Sequence, residues 1–168
     1  MPELVMVCGP NGAGKSTFTR TLAMEQNVIC IDPDAIAASG LSPIAAGKAA
    51  ASMAKLFLTQ GVSFIRESTL TSHFDFWLME EAKNKGYFVR LVYISLNSVE
   101  LALSRVGSRV SKGGHSVPAE DITRRYYRSK KNLEKAAPIA DATVFLDNSS
   151  RQYNVTTLEN VLRDADNE

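Results

Sequence analysis

Residues 8 to 17, CGPNGAGKST, leave this chain few architectures to choose from. Gly9 to Ser16 spells G-x-x-x-x-G-K-S, with the apolar run LVMVC before it and the helix-forming stretch FTRTLAMEQ after it. That is the strand, turn and helix context that a phosphate-binding loop demands. Gly9, Gly12 and Gly14 permit a closeness of approach that a Cβ would block, so successive N–H groups can turn inward around phosphate oxygens. Lys15 would then reach the β- and γ-phosphates, Ser16 would ligate Mg²⁺, and the helix N-terminus would add partial positive charge. Gly9, Pro10, Asn11, Gly12, Ala13, Gly14, Lys15, Ser16 and Thr17 are therefore the candidate residues for holding ATP or GTP. The plainer reading, a glycine-rich turn that binds nothing, is disfavoured by the complete motif and its flanks.

The rest of the chain fits that loop. Apolar runs of strand length at Leu4–Cys8, Val28–Ile31, Val62–Ile65, Phe88–Leu96 and Ala142–Leu146 alternate with helical patterns. The expectation is a three-layer α/β fold of the nucleoside-monophosphate-kinase type, with about five mainly parallel strands covered on both faces. Ser42-Pro43 marks a helix start, Met53, Leu56 and Phe57 give that helix an apolar face, and Gly61 ends it. Asn97 and Glu100 resemble a capping box for a helix striped by Val99, Leu103, Val106 and Val110. Pro118 opens another helix, with Ile122, Tyr126 and Leu133 on one side, and Val155, Leu158 and Leu162 share a face of a last one. With 168 residues, no repeat and no linker, one domain over 1–168 is expected. Few apolar residues and no basic leader precede Gly9, so a cytoplasmic protein without a membrane segment is expected, with Cys8 and Cys30 as small core residues. The net charge of +1 gives no reason to expect nucleic-acid binding. It conceals nine Lys/Arg against three Asp/Glu in residues 105–135, a local +6 suited to something anionic.

Which group receives the phosphate depends on the carboxylates. In CIDPDAI, Asp32 and Asp34 leave the carboxyl end of a strand, the edge where open α/β sheets place ligands. One could steady Mg²⁺ while the other accepts a proton from an attacking hydroxyl; Asp32 is the candidate metal residue beside Ser16, and Asp34 the candidate base. The alternative is an Asp-Pro turn in which Asp34 caps a helix beginning near Ala35. FIRESTL brings Glu67, Ser68 and Thr69 to the same edge, groups suited to sugar-type hydroxyls. Glu67 also has two competing readings: a Walker-B-like carboxylate, against which Arg66 interrupts the apolar run, or a loop carboxylate paired with Arg66. Arg105, Arg109 and Lys112 recur on one helix side and lead into Gly113-Gly114, the pattern of an arginine-bearing lid over about 105–118 or of a solvated basic face. Arg124, Arg128, Lys131 and Lys135 form a ridge read as solvated, and Arg125, Ser129 and Asn132 form a polar line beside it. His115 is a further candidate for contacting substrate, and Asn148, after the last strand, for touching the base.

GPNGAGKST, IDPDAI, RESTL, SRVGSRVSKGGHSVP and RRYYRSKKNL together resemble the zeta-toxin-like P-loop kinases, whose short members are often labelled ABC-type ATPases. The resemblance runs from about Glu3 to Ser149, and the GGH-x-VP segment followed by RRY and NL is its most specific part. It implies a kinase core in which ATP or GTP phosphorylates a hydroxyl of a small-molecule acceptor, UDP-N-acetylglucosamine in the best-understood toxins; an antitoxin protein is a candidate partner. By the same resemblance Lys15 is the nucleotide-binding lysine, Asp34 the proton acceptor, Glu67 and Thr69 the amino-sugar pair, and Arg105 and Arg109 the transition-state arginines. The chain is shorter than those toxins, and Ser68 stands where Gly or Thr is usual. Two other readings stay open: a kinase of an antibiotic, nucleoside or other metabolite, and a nucleotide-dependent binding module held by an antitoxin.

Overall fold

The structure, a computed structural model, describes residues 1 to 114 and 116 to 163. Its strands are β1 (Glu3–Cys8), β2 (Ile29–Ile31), β3 (Phe64–Ser68), β4 (Phe88–Ser95), β5 (Ala142–Asp147) and β6 (Asn154–Thr156). They form one sheet in the order β2-β3-β1-β4-β5-β6, parallel except for β6, which runs antiparallel to β5. Among the described residues the sheet thus has six strands rather than five. Val155, placed by its spacing on the last helix, is instead the exposed middle residue of β6. A three-residue edge strand is too short for its period of two to stand out from the helical spacing that follows.

The helices are α1 (Lys15–Gln26), α2 (Pro33–Ala38), α3 (Pro43–Gln60), α4 (His73–Asn84), α5 (Val99–Ser111), α6 (Ala119–Ala136) and α7 (Leu158–Arg163). Alternation along β1 sends Leu4, Met6 and Cys8 into one core layer and Val5 and Val7 into the other. Two hydrophobic cores sandwich the sheet, which makes three layers. Ser42 and Gly61 bound α3 as expected, but its buried stripe is Ala46, Ala50, Ala54 and Leu58. Met53 and Leu56 face outward, because alanines let the helix approach the sheet closely where larger side chains would hold it away. Ser98, not Asn97, caps α5, its hydroxyl accepting from Leu101 N at 3.2 Å. Ile122, Tyr126 and Leu133 are buried as expected.

β1 lies at the centre, where the strand order turns, and the loop after it opens at the carboxyl edge of the sheet. Gly9 follows directly, at φ 147, and a Cβ there would fall 2.1 Å from the carbonyl oxygen of Ile94 on the neighbouring β4.

Candidate functional site

The loop from Gly9 to Gly14 ends on the first turn of α1, with Gly14 as N-cap in the left-handed region at φ 91. Lys15 Nζ donates to the carbonyl oxygens of Gly9 and Pro10, each at 2.9 Å, so the lysine closes over its own loop. Burial holds its pKa below that of an ordinary lysine, opposed by the charges of Glu67, Asp34, Cys8 and Asp32. Ser16 and Thr17, next on α1, are exposed at the mouth.

Glu67 ends in the strand rather than in a loop. Buried at the carboxyl end of β3, it accepts from Ser16 Oγ at 2.9 Å and from the Thr19 hydroxyl. Burial raises its pKa, and Asp32 raises it further, while the Thr19 bond, Lys15 and the Ser16 bond lower it. Arg66 does not interrupt the buried strand and does not pair with Glu67: it points to the other sheet face, its Nε 4.0 Å from Asp75 Oδ1 and its guanidinium 5.1 Å from the Phe74 ring. Asp32, not Asp34, caps α2, with its Oδ1 accepting from Asp34 N at 2.9 Å. Pro33 at the first helical position starts the helix there, so the two aspartates do not share one extended strand. Both nevertheless line one cleft. That cleft, of about 220 Å³, is also walled by Asn11, Lys15, Glu67, Ser68, Thr69 and Arg125.

On the other side of the loop lies a larger cavity of about 660 Å³, lined by Gly12, Gly14, Thr17, Arg105, Arg109, Lys112, Gly113, Gly114, Asn148 and Tyr153. Arg105 is held there by its Nη2, which donates to the carbonyl oxygens of Asn148 and Ser149 at 2.8 and 2.9 Å. Asn148 Nδ2 donates to Ala13 O at 2.8 Å, and Tyr153 Oη donates to Gly14 O at 2.8 Å. The connection from β5 to β6 thus crosses the phosphate loop as a strap, and Gly14 has no room for a Cβ, which would lie 2.6 Å from Asn148 Nδ2. Arg124, Arg128, Lys131 and Lys135 are exposed, as a solvated ridge requires. Of the neighbouring polar line, Arg125 reaches the smaller cleft, Ser129 is buried against the Tyr93 hydroxyl at 2.9 Å, and Asn132 Nδ2 donates to Leu70 O at 2.8 Å. His115 lies outside the described residues.

The family model described as zeta toxin matches residues 1–157. The chain belongs to the zeta toxin family. An uncharacterised protein of Haemophilus influenzae is 38% identical over 131 residues, covering 74% of this chain and 92% of its own. Among solved structures, one from the PezAT chromosomal toxin–antitoxin system of Streptococcus pneumoniae aligns over 98% of this chain and 78% of its own, with a TM-score of 0.70 at 19% identity. One of the AvrRxo1-ORF1:-ORF2 complex with ATP aligns over 93% and 57%, with a TM-score of 0.74 at 16% identity. At those identities the two structures establish a shared fold.

Within this zeta toxin fold, sequence reasoning missed Tyr153 and Arg151 beside the larger cavity and Arg66, Asp75 and Thr71 in the smaller cleft. Tyr153 was hidden because the strand that follows it is too short to show a period. Asp75 carries a legible signal, since SHFD satisfies the capping-box pattern and Ser72 with Asp75 forms that box on α4. Among the described residues no helix is long and apolar enough to cross a membrane.

Proposed function

We propose that this chain is a P-loop phosphotransferase that moves the γ-phosphoryl group of ATP or GTP to a hydroxyl of a small molecule. The observation that carries the reading is the pair of cavities on opposite sides of the phosphate loop, with Lys15, Asp32, Asp34 and Glu67 together in the smaller one. A nucleotide switch needs the larger cavity alone, whereas transfer needs a second compartment with a base in it. A neighbour solved with ATP supports nucleotide binding by the same fold.

The loop N–H groups from Asn11 to Thr17 and the α1 N-terminus suit a triphosphate. The cradle fits only glycine at Gly14, where a Cβ would strike the strap. No group of three or more His, Cys, Asp or Glu among the described residues forms a metal cluster. The oxygens of Ser16, Asp32 and Glu67 suit a Mg²⁺ that keeps several waters and shares the phosphates, the usual binding mode of that ion. When bound it would neutralise charge on the transferring group.

Asp34 takes the proton of the acceptor hydroxyl, whose oxygen bonds to the γ-phosphorus as the bond to the bridging oxygen breaks and the nucleoside diphosphate leaves. Lys15 exchanges the Gly9 and Pro10 carbonyls for phosphate oxygens, and Arg105 and Arg109 close from the lid side. Asn148 and Tyr153 keep the loop in shape. The cleft is smaller than the usual drug-sized pocket, so it suits the reacting ring of an acceptor such as UDP-N-acetylglucosamine rather than the entire nucleotide sugar. A toxin–antitoxin neighbour makes a protein inhibitor the partner to look for.

Mass spectrometry of a metabolite extract incubated with enzyme, ATP and Mg²⁺ tests the reading. One species heavier by a phosphate is expected. An extract unchanged while ATP is bound would contradict it.

A further inference from the structure

Three buried polar atoms at the floor of the smaller cleft have no hydrogen-bond partner among the described residues: Arg66 Nε, Arg66 Nη1 and Asp75 Oδ1. Both side chains are more than nine-tenths buried, at 8% and 1% exposure, and both line the cleft. The two groups form a long ion pair, yet leaving buried polar atoms of charged groups without hydrogen bonds is costly. The two face each other across 4.0 Å, too far for a direct hydrogen bond between them. Asp75 cannot turn away, because its Oδ2 accepts from Ser68 Oγ at 2.8 Å and Ser72 N at 3.3 Å. Arg66 is held on its other side by the Phe74 ring.

An oxygen that both accepts and donates satisfies this pair, and a hydroxyl is such a group. An acid is not, since Asp75, Glu67, Asp32 and Asp34 already outnumber Lys15, Arg66 and Arg125 around the cleft. The rim supplies a second hydroxyl-reading element. Thr69 Oγ1 and Thr71 Oγ1 lie 2.8 Å apart, on either side of Leu70, which is buried in the left-handed region at φ 58. Ser68 Oγ accepts from Leu70 N at 2.9 Å and Asn132 Nδ2 donates to Leu70 O, so the turn is fixed from both sides.

We propose that Arg66 and Asp75 are specificity-determining residues that read a hydroxyl next to the one phosphorylated, so that the acceptor's reacting end is a neutral vicinal diol. The assignment rests on the phosphotransferase reading for the word acceptor, and on the orphaned pair for the chemistry. The neighbouring hydroxyl accepts from the Arg66 guanidinium and donates to Asp75 Oδ1, while Thr69 and Thr71 border the same cleft.

The acceptor need not be identified for the test. Transfer of label from γ-labelled ATP is followed over a dilution series of metabolite extract, with half the extract first treated with periodate, which cleaves vicinal diols, and then quenched. Wild-type protein is expected to label one species in untreated extract and not in treated extract. Asp75→Asn keeps an oxygen for Ser68 and Ser72 but puts an N–H₂ opposite Arg66, and is expected to raise the half-saturating extract concentration roughly ten- to hundredfold. Maximal rate and ATP affinity should stay within about threefold, a split that general loss of structure would not produce. Should the single variant not fold, Arg66→Met/Asp75→Leu removes both charges together, a replacement that buried pairs often tolerate, and the same rise is expected. Labelling that survives periodate, or an unchanged half-saturation in the variants, overturns the proposal while leaving the kinase intact. Should nothing be labelled, extract retained on immobilised protein decides: a diol held by wild type and lost by Asp75→Asn upholds the pair and sinks the kinase, and no diol held sinks both.

Discussion

At the scale of single residues, substitutions at Asp34, Lys15 and Gly9 are expected to have separable effects. Asp34→Asn is expected to leave ATP affinity unchanged and to slow transfer roughly a hundredfold or more, the usual loss for a general base; calorimetry and single-turnover labelling separate the two effects. Lys15→Ala should do the opposite first, weakening triphosphate binding, since its ammonium already lies over the loop, on the carbonyls of Gly9 and Pro10. Gly9→Ala would drive a Cβ into the backbone of β4 and should cost about 1–3 kcal/mol, seen as a melting temperature lower by several degrees. Gly9 and Lys15 were legible because a phosphate-loop motif needs glycine and lysine at fixed spacing, so its signal is local. Asp32 and Asp34 were legible as a pair at the strand end, but which of them caps α2 was not, since that depends on where Pro33 starts the helix. Arg66 was opaque for a related reason: a charged residue in a strand looks like an interruption until Asp75 and Phe74, eight or nine positions on, are seen to enclose it.

Elements bring the strap and the β4–β5 junction into view. Tyr153→Phe removes the hydrogen bond to Gly14 O while keeping the edge-on packing against Phe18, and nucleotide affinity is expected to fall about two- to tenfold with little change in melting temperature. At the start of β5, Asp141 Oδ2 accepts from Val89 N at 2.8 Å and its Oδ1 from Lys83 Nζ at 2.9 Å. The backbone bond first, and then the lysine, hold its carboxyl below the usual range. A folded-state value below the unfolded one means the stabilisation is complete above the ordinary carboxylate range and is lost as pH falls through the folded value. Asp141→Asn should therefore narrow its stability gap from wild type as the pH of a denaturant titration is lowered into that acid region. Strands and long helices followed from periodicity and caps, Ser42 and Gly61 on α3 above all. Two features did not. β6 is too short and too exposed to carry a pattern, and the buried stripe of α3 is made of alanines, which hydropathy ranks below the methionine and leucine on the opposite side.

For the molecule as a whole, the strand order sets β1 between β3 and β4, so one loop lies between a cavity on the α5 side and a cleft on the β2–β3 side. Fold class and family were within reach of the sequence because the order of the motifs along the chain fixes the order of elements around that loop. The lining of the smaller cleft was not, since it is made by side chains of β3, α4 and α6 that meet only after folding. A nucleotide that binds only the folded state must raise the midpoint of unfolding by mass action. ATP with Mg²⁺ should therefore raise the melting temperature of wild type and of Asp34→Asn alike, and leave that of Lys15→Ala nearly unmoved.

The cleft beside the loop is proposed to hold the hydroxyl that receives the phosphate. ATP consumption by wild type, with and without metabolite extract and beside Asp34→Asn, tests it most directly. Consumption that depends on the extract and disappears in the variant is the predicted result; equal consumption in buffer alone, untouched by the loss of Asp34, would contradict it.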